Sequence, residues 1–329
     1  MSAWLNGLTT KEYLTLDKEL RLFQKFIELT PEEVACRNNC INKIKNIIET
    51  KIQNSEIKPY GSFVYGLSLP SSDVDLVLLF KDGLKMSNTR KTKILKRIAQ
   101  ICRLEKTIKI EEILVNTRIP IIKLTDMEYA LSIDISIETE TGLISTTHTQ
   151  SLMSQFPLCK ILVLFIKFLL FQNSLNEPYH GGLGSYAIVL MVCTYLKENP
   201  TDDAGVALTG ILNFYGSVFK MRTTAISIDK GFYKFKPTDE YDSCPLIVDP
   251  CEENNNVGRP SFKFTTIQYL FKKTLTGINQ QMKNPKEKYL PKRTRLGNVI
   301  AISESLMTFR SAVKQKYLSS KGVPMVIQD

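Results

Sequence analysis

The segment VDLVLLF at residues 74–80 limits most strongly how this chain can fold. It is an unbroken apolar run of strand length between turn signals, so it predicts a buried strand. Asp73 and Asp75 stand at its start with i, i+2 spacing, which on a strand points both side chains to one face. Two like charges held there repel each other and lose water, so something must offset that cost.

The rest of the chain falls into two styles. Apolar positions at helical spacing predict a helix over 10–27, and LTPEE (Thr cap, Pro at the first helical position, acids in the first turn) starts a second at 31 that runs to about 53. SEIKPYGS gives a short strand and a turn, and SNTRKTKILKRIAQIC reads as a basic amphipathic helix. TIKIEEILV, RIPIIKLTD and YALSIDISIE read as three further strands, which predicts a small sheet of mixed strand directions. Beyond residue 140 helical patterns dominate, at 142–154, 158–173, 182–197, 204–219, 263–279 and 298–319, with polar loops between 237 and 261. The expected fold is therefore α/β (α+β): a sheet module over 32–140, and a mainly helical part made of 1–31 and 141–329.

Composition narrows the function classes. Of the 329 residues, 43% are hydrophobic and 23% charged, an ordinary globular mix. The most apolar stretch, ILVLFIKFLLF, is too short for a membrane span and carries Lys167, so it reads as a buried helix. With no leader-like pattern at the start, the expectation is a soluble intracellular protein with no membrane partner. The seven cysteines are scattered and odd in number, which argues against a disulfide framework. With two histidines in the whole chain, a metal here would be held by oxygen. The net charge of +10 suits a polyanionic partner.

A third acid, Asp134, sits inside the apolar strand ALSIDISIE. Taken singly, each acid has an ordinary explanation, a solvated turn for Asp73 and Asp75 and a solvent-facing strand position for Asp134. Together, three carboxylates on neighbouring strands are the arrangement that holds two divalent ions about 3.5–4 Å apart. Mg²⁺ is bound by a few carboxylates plus substrate phosphates, which suits this donor set, and Mn²⁺ would also serve. Gly61-Ser62, just upstream, lets a backbone turn approach a phosphate closely.

GS followed by hDhDh, with a third Asp on a later strand, resembles the signature of the polymerase-β-like nucleotidyltransferase superfamily. The segments GSFVYGLSLPSSDVDLVLLF, RIPIIKL before SIDIS, HGGLGSYAIVLMV and LIVDPCEENNNVGRPSF resemble those of noncanonical poly(A) polymerases, the group of the TRAMP catalytic subunit. The resemblance covers essentially the whole chain. It implies that Asp73 and Asp75 bind both metals and that Asp134 is the third ligand and activates an RNA 3′-hydroxyl. It implies further that Ser62 and the amides around Gly61 hold a triphosphate, with Lys167 neutralising its charge; the alternative for Lys167 is a snorkelling lysine on a buried helix. Some relatives carry a second basic residue where this chain has Phe171.

Ser185 and Tyr186 match a pair that touches phosphate and stacks on the base, although Tyr186 alone reads as core. Ser145 and Thr146 fall where relatives contact ribose, with a helix cap as the alternative. The segment 246–262 is similar to the family's nucleotide-recognition loop, with Asp249, Glu252, Asn255 and Arg259 as nucleotide contacts. UTP-preferring relatives often carry histidine where this chain has Asn255, so the reading favours ATP.

The expectation is thus a template-independent RNA 3′-terminal adenylyltransferase working in RNA surveillance. The alternatives are a uridylyltransferase using UTP, or a catalytically silent RNA-binding scaffold of the same fold. Lys283, Lys286, Lys288, Lys292, Arg293 and Arg295 form a candidate RNA track, or simply a solvated face. The resemblance also implies an RNA 3′ end as substrate, a zinc-knuckle RNA-binding partner with a helicase/exosome pathway, and the nucleus rather than the cytoplasm.

Overall fold

The computed structural model describes residues 3–5, 14–81, 86–115, 117, 119–137, 140–236, 243–280 and 294–321. The chain divides into two compact units, one of Leu29–Thr146 with Ser303–Asp329, the other of Met1–Glu28 with Thr147–Ile302.

The first unit carries the sheet. Its helix α2 (Pro31–Glu49) opens with a reciprocal cap: the Thr30 hydroxyl accepts from the Glu33 amide at 3.3 Å, and the Thr30 amide donates to the Glu33 carboxylate at 2.7 Å. Five strands follow, β1 (Ser55–Pro59), β2 (Val74–Phe80), β3 (Ile108–Leu114), β4 (Ile121–Asp126) and β5 (Leu131–Ile137), with α3 (Asn88–Arg103) between β2 and β3. The spatial order is β1-β2-β5-β4-β3; the β2–β5 pair is parallel and the other pairs antiparallel. In β5 the isoleucines at 133, 135 and 137 are buried in the core with residues of α2 and α3, so Ser132, Asp134 and Ser136 point to the opposite face.

Among the described residues, no single helix is long and apolar enough to cross a membrane. In the second unit α5 (Cys159–Gln172), the ILVLFIKFLLF segment, is buried along nearly its whole length. It packs against α1 (Leu16–Ile27) and α6 (Ser185–Glu198), and α7 (Ala204–Asn213) packs on α8 (Phe264–Gln280). Phe23 meets Phe165 and Phe168 edge-on, with centroids 5.9 and 5.6 Å apart. The helix α4 (Glu140–Gln155) contains the division between the units.

Two features differ from the expectation. A short hairpin, β6 (Thr224–Ser227) and β7 (Gly231–Lys234), lies between α7 and α8 and was not foreseen. The last helix, α9 (Glu304–Ser320), belongs to the sheet unit and not to the helical part, so the expected 141–329 segment does not stay together. Val313 is buried in the sheet unit's core, and the Arg310 guanidinium grips the Glu33 carboxylate with two contacts of 2.9 Å. An apolar stripe says which face of a helix is covered, not by what. Of the basic run at 283–295, only Arg295 lies within the described residues.

Candidate active site

The backbone ladder sets the carboxylates. The β2–β5 register places Asp75 opposite Asp134, and the β4–β5 register places Lys123 opposite Asp134. Side chains opposite one another share a face, so Asp75, Asp134 and Lys123 form one cross-strand row. Asp73 stands one residue ahead of β2, outside the regular pleat. The Lys123 ammonium lies 3.0 Å from the Asp134 carboxylate and 3.9 Å from that of Asp73. One cation therefore reaches both acids. The sequence reading missed Lys123; its signal was a lysine inside the otherwise apolar RIPIIKL strand.

The expected metal set is thus brought to one region. Among the described residues, however, no three metal-ligating side chains are gathered closely enough to form a ready-made metal cluster. Asp73 precedes the strand that aligns the other acids, and Lys123 pairs with Asp73 and Asp134. The donor chemistry still fits a hard divalent cation. All three candidate ligands are carboxylates, and the shared ammonium shows that Asp73 and Asp134 can hold one positive charge between them.

Gly61 explains itself through Asp75. Its φ is +71°, and a Cβ there would stand 2.5 Å from the Asp75 Oδ2, so any side chain would displace that carboxylate. The Gly61 amide donates to the Thr146 Oγ1 at 3.0 Å, and the Thr146 hydroxyl donates to the Gly142 carbonyl at 2.7 Å. The Ser145 hydroxyl also bonds back to Gly142, at 3.1 Å. Neither residue caps α4, since both lie more than a turn inside it. Thr146 ties the helix to the Gly61 turn. Ser62 is buried and its hydroxyl lies 3.1 Å from that of Ser68.

Other groups fix the surroundings. Arg37 is fully buried, and its guanidinium donates to the Pro70 carbonyl at 2.7 Å and to that of Ser72 at 3.4 Å, which pins the loop leading into Asp73. Burial lowers its pKa. Tyr60 is 3.4 Å from the Ser136 hydroxyl; burial first, then the charges of Asp75 and Asp134, push its phenol well up, so it stays protonated beside the acids. These residues carried no signal in the sequence, because a buried Tyr or Arg looks like any other until its neighbours are known.

The segment 246–262, expected to recognise the nucleotide, lies in the second unit and is built around the Asp249 carboxylate. Asp249 accepts from the Tyr186 hydroxyl at 3.1 Å, the Cys251 amide at 2.9 Å and the Asn255 side-chain amide at 2.7 Å. The Tyr186 oxygen is also 3.4 Å from the Cys251 sulfur, and burial raises its pKa, as do Cys251 and Asp249. Asn256, not singled out before, accepts from the amides of Ile247 and Gly258, both at 2.9 Å. The Glu252 carbonyl accepts from the Asn255 amide at 3.2 Å, and the Arg259 amide donates to the Asn256 carbonyl at 3.2 Å. Ser185 is the first residue of α6, and Lys167 is buried on α5.

This sheet, with an acid pair on adjacent parallel strands beneath a glycine turn, has the polymerase-β-like nucleotidyltransferase fold. Residues 16–153 match the model of the central palm domain of mitochondrial-like poly(A) RNA polymerases. Poly(A) RNA polymerase protein 1 of Saccharomyces cerevisiae is 28% identical over 274 residues, covering 78% of this chain and 42% of its own length. An inactive noncanonical poly(A) RNA polymerase protein of Drosophila melanogaster, Trf4-2, is 24% identical over 324 residues, 92% of this chain and 77% of its own.

The polymerase core of TRAMP, an RNA surveillance complex, superposes with a TM-score of 0.77 at 25% identity, over 91% of this chain and 99% of that one. A His-to-Asn variant of the Cid1 poly(U) polymerase with MgATP bound shares the fold, with a TM-score of 0.67 at 21% identity over 82% of this chain and 96% of that one. The chain is thus similar in sequence and in fold to noncanonical poly(A) RNA polymerases. It spans less than half the length of the yeast relative.

Proposed function

We propose that this chain is a template-independent RNA 3′-terminal nucleotidyltransferase that adds AMP from ATP. The observation that carries the reading is the β2–β5 register, which sets Asp75 directly opposite Asp134 with Asp73 just ahead. In the proposed reaction the RNA 3′-oxygen forms a bond to the α-phosphorus of ATP, the bond to the bridging oxygen breaks, and pyrophosphate leaves. Asp73, Asp75 and Asp134 would hold divalent ions, which would supply Lewis-acid stabilisation of the transferring phosphoryl group. Asp134 activates the 3′-hydroxyl. Thr146 occupies the Gly61 amide and keeps the turn over Asp75, while Ser62 and Lys167 serve the triphosphate.

Base choice rests on Tyr186, Asp249 and Asn255. The Asp249–Asn255 bond fixes the orientation of the Asn255 side chain, and Asn255 lacks the bulk of the histidine found in UTP-preferring relatives. A His-to-Asn variant is a form of Cid1 seen with MgATP, which is consistent with an ATP preference here. An RNA-surveillance role, a zinc-knuckle RNA-binding partner, a helicase/exosome pathway and a nuclear location follow from the family reading and are part of the proposal. The silent-scaffold reading takes its support from the Drosophila relative, Trf4-2.

One assay separates the adenylyltransferase, uridylyltransferase and scaffold readings. Single-stranded RNA, Mg²⁺ and each nucleoside triphosphate in turn should give extension with ATP, and Asp134→Ala should stay folded without extending. Extension by a chain lacking all three aspartates would end the assignment, and no extension with any nucleotide would favour the scaffold.

A further inference from the structure

Two of the lysines that meet acids on this sheet do so differently. Lys43 lies 2.6 Å from Asp126, a carboxylate with no exposure at all, and 2.6 Å from Glu128. Asp126 also accepts from the Tyr129 amide at 2.8 Å. The Asp126 carboxylate is sealed from water, although the Lys43 and Glu128 side chains remain 23% and 46% exposed. Lys123 is shared between Asp134 and Asp73 at 3.0 and 3.9 Å, and the side chains remain 32%, 15% and 35% exposed in the order Lys123, Asp134, Asp73. Water and ions can reach this second set.

Like charges directly opposite on neighbouring strands destabilise a sheet, and Asp75 faces Asp134. Lys123 stands next in the same row. Three carboxylates against one ammonium leave a formal surplus of two negative charges, enough to draw further cations.

We propose that Lys123 is a positioning residue that acts as an exchangeable counter-ion, clamping Asp73 and Asp134 until a divalent ion takes over the same oxygens. The inference rests on the metal reading of these acids given above. The ammonium and the ion compete for the same oxygens, so Lys123 steadies the fold at the cost of metal affinity. It differs from a static ion pair, whose loss would weaken the fold and leave metal binding unchanged or poorer. It differs also from a triphosphate contact, whose loss would raise KM for ATP and leave binding of metal alone untouched.

The test uses the whole chain, with Mn²⁺ alone as the probe, followed by the spin-resonance signal of the free ion, beside thermal melts with and without Mn²⁺. For Lys123→Met the melting temperature without metal should fall, Mn²⁺ should restore it, and Mn²⁺ affinity should rise by about three- to tenfold, the range expected for losing one part-exposed charge pair. Lys123→Arg, whose planar fork can bond both carboxylates, should keep the melting temperature and bind Mn²⁺ more weakly than the native chain. This second variant decides the matter should the methionine variant fail to fold.

Unchanged or weaker Mn²⁺ binding by Lys123→Met, or tighter binding by Lys123→Arg, overturns the inference and leaves the metal reading standing. Absence of any saturable Mn²⁺ binding that Asp134→Ala abolishes overturns both.

Discussion

The carboxylate row and the loop at 246–262 are held in place by different forces. Asp75, Asp134 and Lys123 sit on three adjacent strands, so main-chain hydrogen bonds set their spacing and a one-residue slip would send the whole row to the other face. The loop at 246–262 has little main-chain regularity, just isolated bridges from Ile247 and Val248 to Ile226 and Asn256. Irregular main-chain turns, such as the Asp249 amide to the Asn255 carbonyl and the Val257 amide to the Ile247 carbonyl, combine there with two side chains, Asp249 and Asn256, that collect amides and a hydroxyl around them. A ladder gives chemistry a fixed geometry that few single changes can retune. A side-chain hub can be re-cut by one or two substitutions, which is the property wanted where one fold must serve different bases.

Substitutions should break this contrast in a graded order. The largest effect is expected of Asp134→Ala, with a fall in tailing rate of at least about 10³-fold, several kcal/mol of lost electrostatic stabilisation, and little change in far-UV circular dichroism. Gly61→Ala comes next. Its Cβ would strike the Asp75 carboxylate at a positive φ, and a displacement of this kind costs roughly 10²-fold in kcat, measured in single-turnover extension.

On the other side of the comparison, Asp249→Asn weakens three hydrogen bonds at once, from Tyr186, Cys251 and Asn255. KM for ATP should rise about tenfold while kcat changes less, as read from steady-state kinetics. The smallest change is expected of Thr146→Val, which removes the acceptor of the Gly61 amide for about 1 kcal/mol, a drop of roughly 2–4 °C in a thermal melt. An Asp249→Asn effect on kcat as large as that of Gly61→Ala would erase the distinction between the two regions.

The sequence carried the ladder better than the hub, and the reason is physical. Period-two alternation in SIDIS and the apolar run VDLVLLF are direct imprints of strands, so β2, β5 and the aspartates on them were legible. Which strand lies beside which is a long-range fact, and for that reason Lys123 was missed although its strand was not. Hydrogen bonds that close over six residues, such as Asn255 to Asp249, leave no periodic trace. Thr146, weighed as a ribose contact or a cap, bonds the Gly61 amide, a partner 85 residues away. The four-residue strands of the β6–β7 hairpin are too short to show alternation between helices.

The most direct test is competitive tailing, in which one RNA is extended from an equimolar mixture of ATP and UTP with Mg²⁺ by the native chain and by Asn255→His. The native chain should incorporate AMP in excess, and the variant should shift the ratio towards UMP while losing little total rate. A native chain that incorporates mainly UMP, or a variant whose ratio does not move, would contradict the assignment of base choice to the Asp249–Asn255 hub and chemistry to the aspartates of the sheet.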